Sequence, residues 1–155
     1  MTASSGPNKA LVTGAGGFIA RHLIAALETG GCQVTGVDSR PADQGQRETV
    51  CADICDTEAM AELMARERPD AVFNLAAVLG REEGGQALRS CITVNLEGAL
   101  TVARTAAAAG VKRIVLMGSA EELGEQPGPH DEDMAARPLS PYGISKAAMT
   151  WMALA

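Results

Sequence analysis

Aromatic residues are scarce in this chain: two Phe, one Trp and one Tyr make up 3% of its 155 residues. A core must therefore be built from Ala, Val, Leu, Ile and Met. Basic residues are also in deficit, with 13 Lys and Arg against 19 Asp and Glu, for a net charge of −6. That balance argues against general nucleic-acid binding, which needs a positive footprint. No apolar run approaches the roughly 18 residues of a membrane span. Met1 to Asn8 has neither the basic nor the apolar region of a secretory leader, and reads as a disordered lead-in. The four cysteines, Cys32, Cys51, Cys55 and Cys91, form no C-x-x-C pair, and only His22 and His130 could join them as ligands. No metal site is expected; the cysteines read as small hydrophobes of a cytoplasmic protein. With 46% hydrophobic and 21% charged residues, the chain fits one globular domain.

Against these absences stands a glycine-rich stretch near the start, Ala10-Leu-Val-Thr-Gly-Ala-Gly-Gly-Phe-Ile-Ala20. The apolar run breaks at Thr13 into three glycines within four residues, and a helical pattern begins at Phe18. That order is strand, tight turn, helix. Glycine lets a backbone adopt positive φ and approach a ligand closely. The helix behind the turn aims unpaired N–H groups and the positive end of its dipole at it, which suits a pyrophosphate. Gly14, Gly17 and Ala20 follow a G-x-x-G-x-x-A spacing, while Gly14 and Gly16 also meet the first two positions of G-x-G-x-x-G.

Strand and helix signals then alternate. Strands are predicted at Lys9–Thr13, Gln33–Val37, Glu48–Ala52, Asp70–Leu75 and Arg113–Met117. Helices are predicted at Gly17–Thr29, Thr57–Glu67, Leu88–Ala109 and from Pro141 to the end. Residues 39–47, 79–85 and 120–139 read as loops. Such alternation implies right-handed crossovers and an α/β, Rossmann-like, doubly wound parallel sheet of order 3-2-1-4-5, with ligands at the carboxyl ends of the strands.

Several residues at those ends could carry chemistry. Asp38 closes the second strand 24 residues after Gly14, where a carboxylate accepts hydrogen bonds from ribose hydroxyls and favours NAD over NADP. Arg40, close by, could instead meet a 2′-phosphate. Asp53 could reach an adenine amino group or could cap the following helix. Tyr142 and Lys146, four apart, share one helix face; an ammonium near a phenol favours the phenolate and lowers its pKa. Such a tyrosine can exchange a proton with a substrate oxygen. Ser119, after the fifth strand, could hydrogen-bond that oxygen or simply cap a turn. Glu121 and Glu122 read as solvated charges rather than bases.

Taken together, these runs resemble the extended short-chain dehydrogenase/reductases of the NAD-dependent epimerase/dehydratase family, which act on nucleotide sugars. The matching stretches are Thr13–Ala20, Asp38, Asp53-Ile54, Asn74-Leu-Ala-Ala77, Val94-Asn-Leu-Glu-Gly98, Gly118-Ser119 and Ser140-Pro-Tyr-Gly-Ile-Ser-Lys146. The resemblance implies a catalytic Ser119, Tyr142 and Lys146. Tyr142 transfers the proton, Lys146 binds the nicotinamide ribose and tunes the phenol, and Ser119 orients the sugar oxygen. It assigns cofactor contacts to Gly14, Gly16, Gly17, Phe18 and Ile19; to Asp38, Ser39 and Arg40; to Asp53 and Ile54; to Leu75, Ala76 and Ala77; and to Asn95, Tyr142 and Lys146.

It also implies a nucleotide-sugar substrate, NAD as cofactor with NADP possible, hydride transfer at a sugar carbon, and a homodimer through the helices that carry Asn95 and Tyr142. Glu121 occupies a position that dehydratases of this family use. Ala120 and Leu123 depart from their pattern, which points toward an epimerase or 4-reductase. Members of the family run to about twice this length, so residues 9–155 are expected to be the cofactor-binding domain without the C-terminal substrate-binding part. A non-catalytic NAD(P)-binding module is the alternative.

Overall fold

The computed structural model describes residues 6–42, 48–80 and 85–155. The start of the lead-in and parts of the loops read at 39–47 and 79–85 lie outside the described residues.

Five strands form one parallel sheet: β1 (Lys9–Thr13), β2 (Gln33–Asp38), β3 (Val50–Cys51), β4 (Ala71–Asn74) and β5 (Arg113–Leu116). Their order is β3-β2-β1-β4-β5, as the alternation implies. β1 lies between β2 and β4, with Val12 beside Gly36 on one side and Phe73 on the other. Leu11, Val12 and Val72 are fully buried there, which is why these strands read as continuous apolar runs. β3 is shorter than predicted: two residues pair with Val37 and Asp38, and Glu48 and Ala52 fall outside it.

Helices cover both faces. On one, α1 (Phe18–Thr29) packs Ala20 and Ile24 against Val12 and Ala15. On the other, α2 (Thr57–Glu67) and the helix before β5 bury Met60, Leu63, Met64, Val102 and Ala106 against Leu11, Val37 and Val72. Methionine and alanine do here what aromatic side chains do elsewhere. Asp56 caps α2, accepting the N–H groups of Glu58 at 3.1 Å and Ala59 at 3.0 Å. Asp53 does not cap it; its Oδ1 accepts the Cys55 N–H at 2.9 Å in a local turn.

The helix predicted over Leu88–Ala109 is three pieces. α3 (Gly85–Cys91) widens into a π-helical stretch, Ile92–Gly98, and tightens again into α4 (Ala99–Ala108). Two residues explain the wide turn. Asn95 points into the protein and is 1% exposed. Gly98 packs so closely on Ile54 that a Cβ would stand 2.6 Å from Ile54 Cδ1. Such π turns recur at functional sites.

The last helix, α5 (Pro141–Leu154), begins behind Ser140, whose hydroxyl accepts the Gly143 N–H at 2.9 Å. Pro141 pre-sets its first turn. In the region read as a loop after β5, Ala120–Glu122 forms one 3₁₀ turn capped by Ser119. At the opposite edge of the sheet, Asn8 is held rather than loose: its N–H donates to Asp70 Oδ2 at 3.1 Å and its carbonyl accepts from Gln33 at 2.8 Å.

Candidate functional site

The floor of the site is a polar pair at the carboxyl ends of β1 and β4. Thr13 and Asn74 face each other in register, both buried, and Thr13 Oγ1 donates to Asn74 Oδ1 at 2.5 Å. The same hydroxyl accepts the Ala76 N–H at 3.3 Å, which ties the exit of β4 to the glycine turn. Gly14 follows with φ +66°, and a Cβ there would stand 2.8 Å from Ala76 Cα. Both the left-handed backbone and the close approach demand glycine. Gly17 then precedes α1 in extended conformation, and no side chain caps this end. Helix geometry leaves the N–H groups of Phe18, Ile19 and Ala20 without intrahelical partners. Phe18 and Ile19 are 70% and 53% exposed, so neither packs into the core.

A cleft of about 490 Å³ opens beside this turn. Gly14 and Gly17 line it, with Asp38, Ser39 and Arg40 from the end of β2, Asp53 and Ile54 after β3, and Leu75, Ala76 and Ala77 after β4. Ten of the sequence-predicted cofactor residues thus meet in one cavity. Val37, Ala52, Val78 and Val94 complete its walls. These were missed because an apolar residue carries no signal of which cavity it lines. Asp38 is braced: Oδ2 accepts the Gly16 N–H at 3.0 Å and Oδ1 the Arg40 N–H at 3.1 Å. The Arg40 side chain is 84% exposed and makes only a 3.9 Å contact with Asp38. The Asp38 carboxylate lines the cleft, with Arg40 and Asp53 also in its wall. A glycine turn with no room for a Cβ, helix N–H groups at its back and a fixed carboxylate across the cleft fit a dinucleotide's diphosphate and ribose.

Ser119, Tyr142 and Lys146 form a second cluster one strand further on, at the carboxyl end of β5. None of the three lines the cleft itself. The Ser119 hydroxyl stands near enough to the Tyr142 phenol to favour the phenolate, and it accepts the Glu121 N–H at 3.2 Å. Lys146 is 2% exposed, donates from Nζ to the Met117 carbonyl at 2.7 Å, and lies 5.8 Å from the Tyr142 ring centre. Burial pulls the Lys146 ammonium below its ordinary pKa, with the Glu122 charge acting the other way. The lowered phenol expected from a neighbouring lysine is not found. Burial pushes Tyr142 up, the Ser119 hydroxyl opposes this, and the charges of Glu121 and Glu122 add to the rise.

Asn95 joins the two clusters. Its Oδ1 accepts the Val78 N–H at 2.8 Å, while Nδ2 donates to the Val78 carbonyl at 2.9 Å and to Ser145 Oγ at 3.0 Å. The amide is thus occupied by protein partners on the cleft wall and on α5. Asn95 thereby ties the cleft wall to α5. Glu121 and Glu122, read from sequence as solvated charges, are also engaged. Glu121 Oε2 accepts from Ser140 Oγ at 2.5 Å, and Glu122 accepts from both Ser119 N and Thr150 Oγ1. The bond to Ser119 N is the capping box that the Ser119-x-x-Glu122 spacing encodes, whereas no spacing reveals those to Ser140 and Thr150, which lie far along the chain.

A glycine turn between strand and helix, a carboxylate at the end of the next strand, and a Ser-Tyr-Lys group beyond β5 define a dinucleotide-binding sheet of the short-chain dehydrogenase/reductase kind. Residues 10–155 match the model of the NAD dependent epimerase/dehydratase family, and the chain belongs to that family. It is 33% identical over 152 residues to a UDP-glucose 4-epimerase of Mycolicibacterium smegmatis, covering 90% of this chain and 48% of the epimerase. A short-chain dehydrogenase/reductase superfamily protein from Agrobacterium tumefaciens, solved with bound NAD, superposes with a TM-score of 0.81 at 33% identity, over 94% of this chain and 44% of that one. MoeE5 in complex with UDP-glucose and NAD gives 0.82 at 32%, over 94% and 48%. The chain spans about half the length of the relatives it matches. Among the described residues, no helix is long and apolar enough to cross a membrane.

Proposed function

We propose that this chain is the NAD-binding and proton-transferring half of a nucleotide-sugar epimerase-type enzyme. One observation carries the reading: the glycine turn, Asp38 and the Ser119–Tyr142–Lys146 group stand at the carboxyl edge of a single parallel sheet. The similarity to proteins solved with NAD and with UDP-glucose supports it.

In this reading the N–H groups at the start of α1 hold the diphosphate, with the positive end of the helix dipole behind them. Asp38 accepts the adenosine ribose hydroxyls and repels a 2′-phosphate, which selects NAD. When bound, NAD supplies a hydride acceptor that can return the hydride to the same carbon. Tyr142 takes or gives the proton at the sugar hydroxyl or carbonyl oxygen. Ser119, already beside the phenol, orients that oxygen. Lys146 holds the nicotinamide ribose and keeps a positive charge beside the phenol when its proton leaves. A phenol with a raised resting pKa is better suited to give a proton than to take one until substrate and cofactor complete the site. The favoured reaction is epimerisation or 4-reduction, since Ala120 and Leu123 stand where dehydratases of the family differ. A second copy of the chain would cover the exposed Leu88, Ile92, Leu100, Ile144 and Trp151 of α3, the π-helical stretch, α4 and α5, making a homodimer.

The test is an NADH titration by nicotinamide fluorescence, followed by incubation with UDP-glucose and other nucleotide sugars. Saturable binding and product formation that Tyr142→Phe abolishes without loss of binding are the expected results. Binding with no turnover on any sugar would leave the non-catalytic module as the reading, and absence of binding would overturn both.

A further inference from the structure

The two oxygens of Glu122 reach in different directions. Oε1 accepts the backbone N–H of Ser119 at 2.8 Å, three residues earlier in the same turn. Oε2 accepts from Thr150 Oγ1 at 2.9 Å, 28 residues later on α5. A capping box accounts for the first bond. It does not account for the second, which crosses to the helix that bears Tyr142 and Lys146. The Glu122 backbone carbonyl is also engaged, accepting from Arg137 N at 2.9 Å. Against Oε1 lies Gly118, where a Cβ would come within 3.0 Å of that oxygen. The carboxylate is thus fixed from several sides, half-buried, between β5 and α5.

We propose that Glu122 is a positioning residue: its carboxylate staples the turn that carries Ser119 to α5, and so keeps the serine hydroxyl beside the Tyr142 phenol. The role deepens the proposed function, on which its catalytic meaning rests, but the coupling itself needs no cofactor. Among the described residues, no other hydrogen bond ties the Ser119 turn to the middle of α5. Its neighbour Glu121 anchors at Ser140, before the helix begins. The charged and titratable groups that bear on the phenol are Glu121 and Glu122 from this turn, Cys91 from the end of α3, and Lys146 from α5 itself. Of these, Glu122 is the one whose charge acts on both phenol and ammonium.

Tyr142 is the single tyrosine of the chain, so phenolate absorbance titrates it alone. Ser119→Ala removes a hydroxyl that favours the phenolate, and should raise the midpoint. Glu122→Gln keeps the shape of the staple and removes a charge. It should lower the midpoint by about half a pH unit, the effect of one charge several ångströms away in a partly wet site. Glu122→Ala removes the staple as well. Ser119→Ala should then raise the midpoint in the wild-type and Glu122→Gln backgrounds but not in Glu122→Ala. An equal rise in all three, or a Glu122→Gln midpoint that does not move, overturns the proposal. Circular dichroism across the titration checks the fold. If Glu122→Ala does not fold, Thr150→Val takes its place in the cycle, and an undiminished Ser119→Ala effect there overturns the proposal as well. NADH titration of the same variants reads the proposed function separately: a chain that shows the coupling yet binds no NADH keeps the staple and loses the function.

Discussion

Asp38 concentrates the residue-scale argument. Its carboxylate already accepts two backbone N–H groups, so its position is fixed before any ligand arrives. Preorganisation of this kind reduces the ordering cost of binding. Asp38→Ala should weaken NAD binding about 10–100-fold, the loss of one or two charge-assisted hydrogen bonds. It should also narrow the gap between NAD and NADP; calorimetric titration of both cofactors measures each effect. At the same scale, Cys55 shows how burial suppresses reactivity. Its thiol is pushed up to about 11, first by burial and then by the charge of Asp53 and a hydrogen bond to it. Cys32 and Cys91 are buried, and Cys51 is exposed. Brief alkylation of the native chain near neutral pH should label Cys51 first and leave Cys55 largely unmodified, because the thiolate is the reactive form. Peptide mass mapping reads the order.

Among the elements, the π-helical stretch links the cleft beside the glycine turn to α5, which carries Tyr142 and Lys146. Its wide turn points Asn95 inward, where one amide serves Val78 on the cleft wall and Ser145 on α5. Asn95→Ala would strip the half-buried Val78 N–H and the buried Ser145 hydroxyl of their amide partner, while the Val78 carbonyl keeps the Cys91 thiol. A loss of about 1–3 kcal/mol is expected from urea unfolding, on the scale of a buried polar group deprived of its partner. Cofactor affinity should fall with it, since Val78 moves. The helix as such was legible from the spacing of its apolar residues. Its widening was not, because the contacts it makes, such as that of Gly98 with Ile54, come from another part of the chain. The 3₁₀ turn at Ala120–Glu122 was read as loop for a different reason: a single turn is too short to show periodicity.

On the scale of the whole molecule, Asp70 fastens the amino-terminal side of the sheet opposite the site. It accepts the N–H groups of Asn8 and Lys9, each at 3.1 Å, and lies 3.6 Å from Lys112 Nζ. The backbone bond from Lys9, followed by that from Asn8 and the Lys112 charge, lowers its pKa below the usual aspartate value. A carboxylate favoured in its charged form by folding adds stability above its unfolded pKa, and loses it as pH falls through the lower folded value. Asp70→Asn should therefore be less stable than the wild type near neutral pH and equal to it in strong acid; thermal unfolding at a series of pH values tests this. The core on the far face is equally spread over the chain. Leu11, Met60, Met64 and Val102 come from three elements, and Met64→Ala should cost about 2–5 kcal/mol in urea unfolding, as deletion of a fully buried side chain does.

The sequence by itself determined the parallel sheet and its order, the glycine turn and the place of Asp38 at a strand end, because local patterns control them: strand and helix periodicity, a turn that tolerates only glycine, and a short offset from the strand. Tertiary structure alone decided the raised pKa of the phenol, the inward turn of Asn95 and the reach of Glu121 to Ser140 and of Glu122 to Thr150. Burial and hydrogen bonds between groups brought together from distant positions fix those properties, and no spacing along the chain encodes them.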